Sequence, residues 1–210
     1  MKICKVEGCN GKHYAKGYCQ KHYSQMKKYG RILTRTVYDS NEIIEYEDYA
    51  EIVLYDKYGV EMERALIDLD DIDKCKDYKW HLKSKTSKYV EAIYNGTKIA
   101  LHHYILGFRY EQDYIVVDHI NHNPLDNRKE NLRICTQQEN IFNSSKGANN
   151  TSGIRGVTYK KADNLWVAQL MINGQTLYKS FKSKEQAIEQ RLAWEKEFYG
   201  EYQNKEDLDI

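Results

Sequence analysis

Three cysteines and two histidines crowd the first 22 residues, and Cys4, Cys9, Cys19 and His22 follow one another with gaps of four, nine and two residues. No apolar signal-like stretch opens the chain and the total of five cysteines is odd, so clustered cysteines read as metal ligands rather than a disulfide framework. Zinc takes four soft or borderline donors in a tetrahedron, and this set supplies them. Tyr18 to Tyr29 reads as a helix closed by Gly30. Cys19 and His22 then share one helix face, while Cys4 and Cys9 come from a loop in which Gly8 eases a tight turn. About thirty residues with so few apolar side chains cannot build a core, so a structural Zn2+ would supply the folding energy. His13 stands as a competing ligand.

Net charge is +1, but the average hides blocks. Residues 1–36 hold nine Lys/Arg and one acid, whereas residues 37–75 hold three Lys/Arg and thirteen acids. The basic N-terminal arm suits a polyanion, and the acidic block does not. Lys27, Lys28 and Arg31 are the arm's candidate phosphate contacts, which would make binding salt-dependent. No apolar run approaches the length of a membrane span, so no membrane partner is expected and the protein is read as cytoplasmic.

The middle of the chain reads as β-rich. Ile52–Tyr55 and Ala65–Ile67 flank a turn around Lys57-Tyr58-Gly59, and Asn95-Gly96 is a two-residue hairpin turn between Tyr89–Tyr94 and Thr97–Ile99. Cys75, Cys135 and Trp80 read as core. Leu101 to Gly107 reads as one or two helical turns, with the adjacent His102 and His103 read as partly exposed and structural and given no catalytic role.

Residues 114–143 carry the chemistry. An apolar strand from Tyr114 ends at Asp118-His119, a polar loop follows, and Leu132–Cys135 returns as a second strand. Thr136 and Glu139 form a capping box that starts a helix bearing Asn140. Asp118 and Asn140 each offer an oxygen to a hard divalent cation. His119 points away from Asp118 across the strand end. A base beside a metal is what phosphodiester hydrolysis needs.

The wording Asp118-His119-Ile120-Asn121, Asp126-Asn127-Arg128, Asn131-Leu132-Arg133 and a helical Asn140 resembles the HNH endonucleases, also called His-Me finger or ββα-metal nucleases, of the phage and homing kind. The resemblance implies His119 as general base, Asp118 and Asn140 as ligands of one Mg2+ or Mn2+, and Asn131 as the residue that fixes the loop and orients His119. Asn143 is the alternative third residue and His122 the rival base. Arg133 is taken as a DNA contact. The N-terminal cluster also resembles the small zinc modules that begin many phage-encoded endonucleases.

Beyond a linker-like loop at 149–153, three strands (154–159, 165–172, 175–181) precede a helix from Lys184 to Tyr199, with apolar Ala187, Ile188, Leu192, Trp194 and Phe198. Gly153-Ile-Arg-Gly-Val157, Trp166-Val-Ala168 and Phe181-Lys-Ser-Lys-Glu-Gln-Ala187 resemble the Apetala/ethylene-response-factor DNA-binding domain. That family lays its sheet in the major groove, which implies DNA contacts from Arg155, Lys160, Trp166, Gln169 and Lys179. Trp166 is equally readable as core, and the strand face that meets DNA stays open.

The expected protein is α+β and modular: a zinc-binding basic unit at 1–36, an HNH domain at 37–150 with its ββα-metal core at about 111–150, and a three-stranded sheet plus helix at 151–210. It would be a hydrolase, a site-specific homing-type endonuclease acting on double-stranded DNA. A monomer suits nicking and a dimer would allow double-strand cuts. The competing expectation is an inactive, sequence-specific DNA-binding regulator built on the same modules.

Overall fold

The computed structural model describes residues 2–33, 35, 39–84, 86–108, 115–145, 147 and 149–204. They divide into two compact units, one ending at Leu101 and the other starting at His102. Among the described residues no helix is long and apolar enough to cross a membrane.

The first unit opens with a loop in which Ile3 bridges Lys12 and Ala15 bridges Tyr18. It leads into helix α1 (Gln20–Tyr29), which Gly30 ends in the left-handed conformation (φ 70°) by donating its N–H to the Met26 carbonyl. Strands β1 (Ile43–Glu45), β2 (Ala50–Tyr55) and β3 (Glu61–Ile67) form an antiparallel meander. Its β2–β3 turn is the one expected around Gly59: the Asp56 carboxylate accepts from the Tyr58 and Val60 amides.

Ile52, Val53, Leu54, Ala65 and Ile67 form the buried interior of this sheet. The acidic stretch 68–78 is short and helical, a 3-10 turn at Leu69–Asp71 followed by α2 (Ile72–Cys75). Cys75 and Trp80 are buried as expected, and the indole N–H donates to the Cys75 carbonyl at 3.0 Å. Strands β4 (His81–Leu82), β5 (Val90–Tyr94) and β6 (Thr97–Ala100) form the second sheet. Its β5–β6 turn places Asn95 and Gly96 at φ 48° and 78°, the geometry that makes Asn-Gly the strongest short hairpin signal.

Helix α3 (Leu101–Ile105) lies across the division. In the second unit, β7 (Ile115–His119) and β8 (Leu132–Thr136) pair antiparallel, and α4 (Gln137–Phe142) follows directly. Tyr114, the expected start of β7, lies outside the described residues. The capping box is formed: the Thr136 hydroxyl accepts from the Glu139 amide, and the Glu139 carboxylate accepts from the Thr136 amide.

Strands β9 (Val157–Lys160), β10 (Leu165–Ile172) and β11 (Gln175–Phe181) form a sheet with β10 central, covered on one face by α5 (Lys184–Phe198). The expected linker at 149–153 is instead folded: Asn150 accepts from the Gly153 amide, and Ser152 and Asn150 both donate to the Ile154 carbonyl. Phe142 of α4 stacks on Tyr199 at 3.9 Å between ring centroids, so this sheet and helix dock on α4 within one unit.

Helix α5 departs from its apolar reading. Its most buried residues are Ala187, Arg191 and Glu195, four apart, while Phe198 is exposed. Arg191 pairs with Glu195 at 2.7 Å and donates to the Arg155 carbonyl and the Tyr199 hydroxyl. A buried ion pair costs desolvation, which these bonds offset in part; Arg191 Nη1 is buried with no hydrogen-bond partner among the described residues. Gly156 lets it fit, because a Cβ there would lie 2.8 Å from Arg191 Nε and 2.5 Å from the Gln169 carbonyl oxygen.

Candidate metal centres and catalytic pair

Strand β7 ends at Asp118 and His119. The register sets Asp118 opposite Arg133 and His119 opposite Leu132, so the pleat sends the two side chains to opposite faces. Both are buried. The Asp118 carboxylate accepts from Arg133 (3.0 and 2.8 Å) and from the Asn143 amide (3.0 and 3.2 Å). Arg133, expected on DNA, is engaged inside the protein instead. Its remaining nitrogen donates to the Glu201 carbonyl, and its guanidinium lies over the Tyr202 ring.

His119 Nε2 lies 3.4 Å from the Asn127 side-chain oxygen. The Asn127 amide nitrogen donates to the Leu125 and Pro124 carbonyls, which turns that oxygen toward the imidazole. Nε2 therefore donates, and Nδ1 is the nitrogen of the ring able to accept a proton. Burial holds the His119 pKa below the ordinary histidine range; the Asn127 bond and the charges of Asp118 and Asp126 oppose it only in part. The imidazole is neutral at neutral pH, as a base must be.

Asn131 pins the loop at both ends, accepting from the Asn121 amide at 2.9 Å and donating to the Asp126 carbonyl at 2.8 Å. The hydrogen bond to His119, expected from Asn131, comes from Asn127. Sequence reasoning passed over Asn127 although it lies inside the quoted Asp126-Asn127-Arg128. Asp126 anchors that segment by a two-pronged pair with Arg128 and a bond from Asn121. His122, the rival base, is hydrogen-bonded to Ser145.

The helix residue that reaches Asp118 is Asn143, whose amide also donates to the His119 and Ile120 carbonyls. Asn140 lies one turn earlier on α4 and is half-buried. Its carboxamide makes no hydrogen bond among the described residues. Asn143 thus acts as a brace through its N–H, and Asn140 keeps an oxygen uncommitted. A hard cation that retains several waters needs only one or two such protein oxygens, so Asp118 with Asn140 is a donor set that fits Mg2+ or Mn2+.

His102 and His103, expected to be partly exposed, are instead buried beside His119. The His102 ring meets His119 edge-on at 4.9 Å and His103 at 4.3 Å. Burial, reinforced by His119, holds the His103 pKa down to about 4. An unfolded histidine titrates near 6.5. The stability contributed by neutral His103 is therefore present above about pH 6.5 and lost as pH falls toward about 4. The loss is expected to be on the order of 2 kcal/mol. Denaturant unfolding at pH 7 and at about pH 4.5 measures it. His103→Phe should lose less stability than wild type over that interval, and equal losses would remove His103 as the source.

The N-terminal cysteines converge. The ligand atoms of Cys4, Cys9, Cys19 and His22 all lie within 4.8 Å of one another, with His22 Nδ1 3.2 Å from Cys4 Sγ and 3.6 Å from Cys19 Sγ. Three thiols and an imidazole match the chemistry of a closed structural zinc site. Burial pushes the Cys4 thiol up, but His22 and backbone hydrogen bonds outweigh it and bring its pKa to about 6, which favours the thiolate a metal needs. His13, the competing ligand, instead accepts from the Gly17 amide.

Of the DNA contacts expected, Lys27, Lys28 and Arg31 are exposed at the end of α1. In the C-terminal sheet, Lys160 and Gln169 stand on the face away from α5, beside Tyr178. Three others are placed differently. Arg155 donates to the Ile141 and Phe142 carbonyls, which knits α4 to the sheet. Trp166 packs into the core between sheet and α5, the other of its two readings. Lys179 pairs with Ala168 on the helix side, where it donates to Gln190.

Residues 110–141 match the HNH endonuclease family. An uncharacterized HNH endonuclease of Acanthamoeba polyphaga mimivirus is 34% identical over 150 residues, 70% of this chain and 76% of that protein. Protein 3.8 of Escherichia phage T7 is 29% identical over 90 residues, 41% of this chain and 71% of that protein. No solved structure matches. With the Asp118–His119 pair, the pinned loop and a relative matched over three-quarters of its length, the chain belongs to the HNH endonuclease family.

Proposed function

We propose that the protein is a site-specific, divalent-metal-dependent endonuclease of double-stranded DNA, of the phage or homing kind. The observation that carries this reading is the buried pair at the end of β7: a carboxylate on one face and, on the other, a neutral imidazole oriented by Asn127. His119 Nδ1 takes the proton of the attacking water. Asn131 and Asn127 hold the loop so that the imidazole keeps its tautomer and aim. Asp118 and Asn140 would hold one Mg2+ or Mn2+. The ion, when bound, stabilises charge on the scissile phosphate and the leaving oxygen. The products are 3′-hydroxyl and 5′-phosphate ends.

DNA would be gripped from two sides of the sequence. The zinc module of residues 1–36 offers Lys27, Lys28 and Arg31 to phosphates. The C-terminal module, similar in sequence pattern to the Apetala/ethylene-response-factor domain, offers Lys160 and Gln169 on its uncovered face. A monomer with one centre nicks one strand. Such an enzyme would work in the host cytosol.

Two variants separate the helix asparagines. Asn140→Ala is expected to raise the half-saturating Mg2+ concentration for plasmid cleavage by at least about tenfold, with little change in thermal midpoint. Asn143→Ala should lower the thermal midpoint, because it removes the brace on the His119 and Ile120 carbonyls. The opposite pattern would move the ligand role to Asn143. Resealing of the nicks by DNA ligase checks the ends, and nicks that cannot be resealed would contradict the proposed products.

A further inference from the structure

We infer that Arg133 is a positioning residue of the catalytic centre, one that occupies a single oxygen of Asp118 and leaves the other to the metal ion. The inference rests on Asp118 being a metal ligand. Arg133 and Asp118 stand directly opposite each other on β8 and β7. Both guanidinium bonds fall on one oxygen, Oδ2, from Nε at 3.0 Å and Nη2 at 2.8 Å. The Asn143 amide also leans toward Oδ2, at 3.0 Å against 3.2 Å to Oδ1. Oδ2 thus receives three N–H donors and Oδ1 one long one. Only Oδ1 keeps lone-pair capacity for a cation.

The guanidinium is itself fixed from the far side. Nη1 donates to the Glu201 carbonyl at 3.0 Å, and Cζ lies 4.5 Å from the centre of the Tyr202 ring. The turn that follows α5 therefore reaches the catalytic carboxylate through one side chain. A fork of this kind is rigid and cannot be replaced by a lysine's point charge. It enforces one-oxygen coordination, and its positive charge keeps metal affinity moderate. Removal of Arg133 frees Oδ2, which permits two-oxygen chelation and ends the repulsion. The ion should then bind more tightly and in a poorer position for catalysis.

The test uses the full chain with zinc retained. Mn2+ binding without DNA is read from the free-ion EPR signal, and single-turnover plasmid cleavage is measured at saturating Mn2+. Arg133→Ala is expected to bind Mn2+ about threefold to tenfold more tightly, because a neighbouring positive charge is removed, and to cleave at least about tenfold more slowly. Arg133→Lys and Tyr202→Leu should shift both quantities the same way by smaller factors, and they carry the test if Arg133→Ala does not fold. Slower cleavage with unchanged or weaker Mn2+ binding would overturn the inference. So would a loss confined to DNA affinity measured without added Mg2+ or Mn2+, the mark of a phosphate contact. If wild type and Asp118→Ala bind Mn2+ equally, the metal reading itself falls and takes this inference with it. That outcome is read from wild type and is distinct from one seen in the Arg133 variants alone.

Discussion

His119→Ala is expected to slow DNA cleavage by roughly 10²- to 10⁴-fold at neutral pH, the usual worth of a positioned general base. DNA affinity without added Mg2+ or Mn2+ should change little, because the imidazole is buried against Asn127 and His102 and presents no charge to phosphate. The substitution leaves a hole and an unpaired Asn127 oxygen, so some stability will be lost. His119→Gln fills more of the space without supplying a base, and it should be as slow. Added imidazole should restore part of the rate in His119→Ala and none in His119→Gln. A variant that stays folded and cleaves within a few-fold of wild type would assign the base elsewhere, and His122 would be the first residue to test.

Removal of zinc is expected to have the second large effect. Among the described residues of the first 33, the buried apolar side chains are Cys4, Cys19 and Leu33, far too few for a core. Structural zinc in small modules supplies about 10–16 kcal/mol of apparent binding energy, which is then folding energy. Cys19→Ser should lower the metal content by about one Zn2+ per chain. It should also abolish hydrogen-exchange protection across α1 while β2 and β3 keep theirs. Lys27, Lys28 and Arg31 would lose their common scaffold, so DNA affinity should fall most at low salt. Protection of α1 that survives both the substitution and chelation would contradict a metal-built module.

What the sequence disclosed and what it concealed divide by range. The Asn95-Gly96 turn, the Thr136–Glu139 capping box, the Gly30 helix end and the cysteine spacing are all local signals, written within a few residues, and each has the geometry expected of it. Asn127, Asn143 and Arg133 act across gaps of 8, 25 and 15 residues, where no period or cap marks the partner. Asn143 was visible only as an alternative, since two asparagines one turn apart look alike until their contacts are known. Arg191 and Glu195 were hidden for another reason. Charged residues on a helix read as its solvated face, and only their mutual pairing together with Gly156 makes burial tolerable. Trp166 and Arg155 follow the same rule, as their places are settled by what packs on the far side of the sheet.

The central claim is that Asp118 and His119 form a metal-dependent DNA-cleaving centre. Its most direct test is incubation of the full chain with supercoiled plasmid and phage or host genomic DNA, in Mg2+ or Mn2+ against EDTA, beside Asp118→Ala and His119→Ala. The account predicts nicks or cuts at discrete positions that need the metal and disappear in both variants. Cleavage that persists in EDTA or in folded Asp118→Ala, or tight salt-sensitive binding to cognate DNA with no cleavage in either metal, would contradict it.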